Sequence, residues 1–226
     1  MRRAFLLLLA GVALLAGCGG GGDDEADGPT IQELQIAYTS GARALTADTW
    51  TLRNGDDLAA QSRLRQGSEV LSDVALEGGF LAAYTAEAGG VVESPAGTAA
   101  SPDPFTIADG LVEDGTLTAA GTAQRDGREV HVYTGSPEYF LLGGGQGSFE
   151  PADAELRYLR DEASGRPVEL LIPAATLRGT GVPPARVPQQ RYVVTGARDH
   201  PATEEAMEVF DVKAIYDAAP TTTPVP

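Results

Sequence analysis

The chain has 226 residues, with 16 Lys plus Arg against 32 Asp plus Glu, one Cys, two His and one Trp, for a formal charge of −16. A single Cys and two His cannot supply a structural zinc or iron–sulfur ligand set or a disulfide framework. So strong a negative balance also excludes nucleic acid as an electrostatic partner, since a polyanion seeks basic patches.

The N-terminus carries the most specific signal. Arg2 and Arg3 precede an almost wholly apolar run over residues 4–16, followed by Leu15-Ala16-Gly17-Cys18. Thirteen residues are too few to span roughly 30 Å of hydrocarbon, which takes about 20. The pattern resembles a bacterial lipobox. That resemblance implies a signal peptide over residues 1–17, cleavage before Cys18, and a diacylglycerol-modified Cys18 as membrane anchor. Two acyl chains give a stable anchor where one gives a marginal one. Without Arg2 and Arg3 the mature chain carries −18, which keeps the domain itself off an anionic surface. Residues 18–29 then read as the lipidated Cys and a flexible linker, GGGGDDEADGP from Gly19, with an r.m.s. reach of roughly 17–20 Å. Asp23, Glu25 and Asp27 faintly mimic a calcium loop, but Leu34 stands where its bidentate Glu belongs. With Lys213 as the only Lys and abundant Arg, Ala and Gly, the composition is that of a high-GC genome, actinobacteria-like. In a single-membrane cell the expected location is extracytoplasmic, on the outer leaflet of the cytoplasmic membrane.

Residues 30–219 are expected to form a single domain. Period-two alternation separated by turn residues predicts an α+β chain that is mainly antiparallel sheet. Leu34, Ile36 and Tyr38 alternate before Ser40-Gly41, although Thr30 with Glu33 would also fit a capping box and a helix over 31–38. Trp50 and Leu52 precede the turn sequence Asn54-Gly55-Asp56-Asp57; further strands are expected at Val70–Leu76, Phe80–Thr85 and Val91-Val92. Asp103–Val112 is the best helix candidate, because Pro104 suits a first turn. Asp126-Gly127 supplies the positive φ of a type I′ hairpin within Thr116–Tyr133. A second hairpin joins Glu155–Arg160 to Pro167–Ile172, a strand follows at Gln190–Thr195, and Thr203 can cap a turn through Met207. Ser94–Pro102, Gly143–Pro151 and Arg178–Pro188 read as loops, and residues 220–226 (PTTTPVP) as a disordered tail.

In order, these pieces resemble the LolA-like superfamily, which includes the carrier LolA, the regulator RseB and lipoproteins of the LppX type. The similar segments are Trp50–Leu58, Asp103-Pro104 with Leu111 and Gly115, and Asp126–Tyr133. The fullest is Tyr158–Glu169, a strand, an Asp, a turn ending in Gly and a Pro that opens the returning strand; His200-Pro201-Ala202-Thr203 completes the set. The resemblance spans about residues 31–217. It implies a strongly curved, unclosed half-barrel with a few short helices on its concave face and an apolar cavity between.

Standard catalytic patterns are missing: there is no G-x-S-x-G or H-E-x-x-H, and Phe210 stands three residues before Lys213 where S-x-x-K needs Ser. Gly143–Gly147 lacks the Lys-Ser/Thr of a phosphate-binding loop. His131 and His200 read as strand and loop residues, which would make a zinc site only by meeting a carboxylate in space. No cofactor or metal is expected. Trp50, Leu52, Phe80, Tyr84, Phe105, Val132, Tyr158, Leu170, Tyr192 and Phe210 could line a lipid-sized cavity or simply fill a core. The expected function is non-enzymatic binding or carriage of a hydrophobic ligand, a lipid or lipoprotein acyl chain; the alternative is an envelope sensor or interaction module of RseB type. Nothing in the sequence sets the oligomeric state.

Overall fold

A computed structural model describes residues 29–54, 57–77, 80–87, 89–95, 103–142, 147–179 and 183–217. The signal peptide, Cys18, nearly all of the linker and the Pro/Thr tail lie outside the described residues. Thr30–Ser40 (β1), Arg43–Asn54 (β2), Asp57–Gln66 (β3), Glu69–Glu77 (β4), Phe80–Thr85 (β5) and Gly90–Pro95 (β6) form one antiparallel meander. The helix Pro104–Glu113 (α1) follows, then the hairpin Thr118–Arg125 (β7) and Arg128–Gly135 (β8) and the helical turn Glu138–Leu142 (α2). Beyond Ser148–Glu150 (β9) come Leu156–Asp161 (β10), Pro167–Ile172 (β11), Ala175–Arg178 (β12), Ala185–Val187 (β13) and Gln190–Pro201 (β14). The described chain ends in Glu204–Met207 (α3), a 3-10 turn at Glu208–Phe210, and Val212–Asp217 (α4).

Eleven strands make one sheet in the order β6-β5-β4-β3-β2-β1-β14-β11-β10-β8-β7, and β13-β12-β9 make a small second one. The large sheet is unclosed, with β6 and β7 at its two edges. β1 is a strand, not a helix, because it is central: Leu34, Ile36 and Tyr38 sit opposite Thr49, Ala47 and Leu45 of β2 and Ala197, Val194 and Tyr192 of β14. Cross-strand neighbours on both sides outweigh one capping residue.

Local chemistry sets the turns. Asp126 and Gly127 have φ of 51° and 79°, the left-handed pair a two-residue type I′ turn requires, and Arg125 pairs with Arg128 across it. In the β10–β11 turn, Asp161 accepts from the Ser164 N–H and hydroxyl at 2.8 Å each, and the Gly165 N–H donates to the Asp161 carbonyl at 2.8 Å. Asp103 is the N-cap of α1, accepting from the Phe105 and Thr106 N–H groups at 3.1 and 3.2 Å, with Pro104 in the first turn.

Register divides the side chains between two faces. Leu34, Ile36, Tyr192, Leu170, Tyr158 and Tyr133 share one face through successive cross-strand pairs and pack with Phe105, Ala108 and Leu111 of α1 and Leu141 of α2. Ile31, Leu52 and Ala59 share the other, under Phe210 with Met207 and Val209. The helical cover is thus divided: α1 and α2 lie on one face, whereas the C-terminal helices pack on the other, behind β2–β6. The cause is polar as well as apolar, since fully buried Asp73 on that rear face accepts from Gln61 Nε2 and Arg63 Nε at 2.6 Å each and from the Tyr216 hydroxyl at 2.9 Å. Tyr216 also stacks on Tyr84 with 3.8 Å between ring centroids.

Several elements carry no readable signal. In Asp57–Gln66 the residues on the α1 face are Ala60, Ser62 and Leu64, and a single large apolar residue beside a small and a polar one does not mark a strand. Two segments expected as loops contribute the short strands β9 and β13, and β12 forms in the unassigned stretch just before the second of them; together they pack Phe149, Leu177 and Val187 against the main core.

Candidate functional site

On the α1 face, β2, β3, β4, β1, β14 and β11 all send side chains toward one half-open cleft of about 370 Å³. Six strands thus meet a single space beneath α1 and α2. Ile36, Leu64, Val74 and Ile172 line the sheet side, and Pro104 and Ile107 of α1 and Phe140 of α2 line the helix side. Polar groups are few: Thr49, Ser62 and Ser72 on the wall, and Gln190 beside Tyr38 and Tyr192. The two tyrosine rings stack at 4.6 Å, and both hydroxyls donate to Gln190 Oε1, at 3.5 and 3.0 Å. Burial, with Tyr38 adjacent, holds the Tyr192 phenol above its ordinary range.

Of the residues singled out in the sequence, Tyr192 lines the cleft. Phe105, Tyr158 and Leu170 are packed in the core beneath it. Tyr158 has no exposed surface, and its hydroxyl donates to Asp109 Oδ1 of α1 at 2.7 Å; burial foremost, then the Asp109 charge, raises its pKa well above the usual phenol value. Trp50, Leu52 and Phe210 belong to the rear cluster, and Tyr84 stacks there against Tyr216. Phe80 is 62% exposed on β5. Val132 packs with Val130 and Leu159 on the rear of the far strands.

The lining residues Ile36 and Tyr38 belong to the L-x-I-x-Y alternation, so their common face is readable from sequence; that the face borders open space is not. Leu64, Val74, Ile107 and Phe140 look like any half-buried apolar residue until β3, β4, α1 and α2 are brought together.

Two polar depressions flank this arrangement. One, about 1050 Å³ on the rear of the β7–β8–β10–β11–β14 half, is lined by Arg125, Arg128, Glu129, Glu162 and Arg166 among others. Glu169 beside it binds Arg191 through two 3.0 Å contacts and Arg125 at 2.8 Å. The other, about 560 Å³ at the start of α1, is lined by Asp103, Asp109, Arg160, Arg166 and Asp199. Arg166 pairs with Asp199.

His200 Nε2 lies 2.7 Å from Glu33 Oε2 on the rear face, with 40% of its side chain exposed, and neither residue lines a described depression. His131 sits three strands away, on β8 opposite Arg160. Among the described residues no group of three or more His, Cys, Asp or Glu is placed to hold a metal ion, and no helix is long and apolar enough to cross a membrane.

No family model matches the chain, and no curated protein matches its sequence. Similar solved structures include an uncharacterized conserved protein from Thermus thermophilus, at 10% identity and TM-score 0.45, covering 85% of this chain and 86% of the other. MucB in the Pseudomonas aeruginosa MucA/MucB complex aligns at 13% identity and TM-score 0.41, over 78% of this chain but 54% of that one. The Mycobacterium tuberculosis lipoprotein LppX aligns at 15% and 0.36, over 74% and 86%. A LolA superfamily protein from Nitrosomonas europaea aligns at 10% and 0.30, over 80% and 90%. The described fold is a mainly antiparallel, curved and unclosed sheet with a few short helices.

Proposed function

We propose that this is a lipid-anchored extracytoplasmic protein that holds one apolar chain, from a lipid or an acylated protein, in the cleft between the concave sheet face and α1 and α2. The cleft itself carries the reading: about 370 Å³ of space walled by Ile36, Leu64, Val74, Ile107, Phe140 and Ile172, beside a core in which Leu34, Tyr158 and Leu170 are fully packed. Such a volume sits near the lower end of small-molecule sites, roughly 300–1,000 Å³, and suits a single slim chain. Burying about ten methylenes at about 0.8 kcal/mol each gains roughly 8 kcal/mol gross, before ordering costs. Uptake and release of a chain break no bond, so the role is non-enzymatic. Residues 1–17 serve as signal peptide, Cys18 as anchor, 18–29 as linker, 30–219 as the binding domain and 220–226 as a tail.

The test is organic extraction of the purified mature protein followed by mass spectrometry, with displacement of a fluorescent fatty acid as the binding assay. An acyl lipid in the wild-type extract, lost from Val74→Trp, which fills the cleft from β4, is the expected result. A lipid-free extract together with no fatty-acid binding refutes the reading.

A second reading, an envelope sensor or interaction module, draws on the charged rear depression of about 1050 Å³, a surface suited to a polar protein partner. A co-purifying membrane protein that is lost from the double variant Arg128→Glu and Arg166→Glu would favour it over the first.

A further inference from the structure

Thr49 lies on the floor of the cleft, 1% exposed, and its Oγ1 has no hydrogen-bond partner. Folded proteins pair nearly every buried polar group, because an unpaired one keeps the full cost of losing water. Valine has the same shape as threonine and would remove that cost, so packing alone does not account for a hydroxyl here. Nor is it isolated. Ser62 stands directly opposite on β3, and Ser72 on β4 faces Leu64 one position along; both line the same cleft. Three adjacent strands thus present hydroxyls on a wall that is otherwise Ile36, Leu64 and Val74. The Tyr38, Tyr192 and Gln190 groups at the other side are already bonded to one another and need no ligand.

Resting on the binding reading above, we propose that the cleft selects an acyl chain carrying an oxygen function, an ester carbonyl or a chain hydroxyl, which pairs with Thr49 Oγ1 while Ser62 and Ser72 flank it. A hydroxyl both donates and accepts, so either oxygen function satisfies it. The surrounding aliphatic wall then holds the hydrocarbon on each side of that oxygen.

The experiment is displacement of a fluorescent fatty acid from the purified mature protein by eighteen-carbon probes: octadecane, methyl octadecanoate, and octadecanols with the hydroxyl at different carbons. Wild type should prefer at least one oxygenated probe over octadecane by about tenfold, the scale of one net hydrogen bond. The better arm, ester or alcohol, identifies the source of the oxygen. Thr49→Val should bring that probe down to the affinity of octadecane, and Thr49→Ser should restore the preference. Equal binding of all probes by wild type overturns the inference while leaving the binding function intact, as does a preference that survives in Thr49→Val. If no probe binds, octadecane included, the proposed function falls and takes this inference with it.

Discussion

Replacing Asp103 should show how much the cap of α1 contributes, and its pH dependence should run opposite to that of an ordinary carboxylate. Asp103 is 2% exposed and accepts from the Phe105 and Thr106 N–H groups, from the Thr106 hydroxyl at 2.7 Å and from the Thr51 hydroxyl at 3.4 Å. Asp103→Ala removes the cap, for about 0.5–2 kcal/mol, and leaves buried donors without an acceptor, for about 1–3 kcal/mol more. A total near 3 kcal/mol corresponds to a fall in Tm of roughly 6–12 °C for a domain of this size. Asp103→Asn keeps an acceptor at the cap and should cost less than about 1 kcal/mol at neutral pH. Burial is the largest influence on this carboxyl and raises its pKa above the ordinary 3.8, against the opposing hydrogen bonds from Thr106 and Phe105. Because its folded-state pKa is raised, the folded protein holds the proton more tightly than the unfolded chain. The group's favourable contribution is therefore complete below the ordinary value and is lost as pH rises through the folded value. Thermal melts of wild type and Asp103→Asn between pH 3.5 and 7 should show the wild-type advantage shrinking as pH rises. An advantage that grows with pH, or an Asp103→Ala variant as stable as wild type, would refute the reasoning.

Asp73→Ala should be the harsher rear-face substitution, since it strips Arg63, Gln61 and Tyr216 of a shared buried acceptor; urea denaturation should register a loss of about 3–5 kcal/mol. Asp161 titrates the other way from Asp103. Ser164 donors lower its pKa, so Asp161→Asn should cost stability at neutral pH and progressively less as pH falls through the wild-type group's depressed value, measured by melts across the acid range. Cys18→Ala should leave the protein out of the membrane fraction of a fractionated cell, whereas an unchanged membrane share would remove the lipid anchor from the proposal.

Alternation and turn chemistry made much of the fold readable. The Asp126-Gly127 turn, the Asp161–Gly165 turn and the Pro104 first turn of α1 each act through a few neighbouring residues, so their sequences suffice. β3 escaped because Ala60 and Gln61 owe their burial to β2 and β4 on either side, and Ala59 to Leu52 and Phe210. α2 and the strands β9, β12 and β13 are too short for periodicity and are held by packing of Tyr139, Phe149 and Leu177 on the core. The cleft was less readable still: of the ten aromatic and aliphatic residues singled out, Tyr192 borders it, while Trp50 and Leu52 face away on the same strand that brings Thr49 in.

Sequence alone determined part of the local geometry: most of the longer extended stretches, the reversals at Asp126-Gly127 and Asp161–Gly165, how α1 begins, and that the charge is strongly negative. These follow from backbone preferences and short-range hydrogen bonds, which act over a handful of residues. Tertiary structure alone decided which face of each strand meets α1, which side the C-terminal helices cover, and that Ile36, Leu64, Val74, Ile107 and Phe140 surround unfilled space. A cavity is a property of how distant surfaces fail to meet, and strands far apart in the chain come together only when β1 pairs with β14.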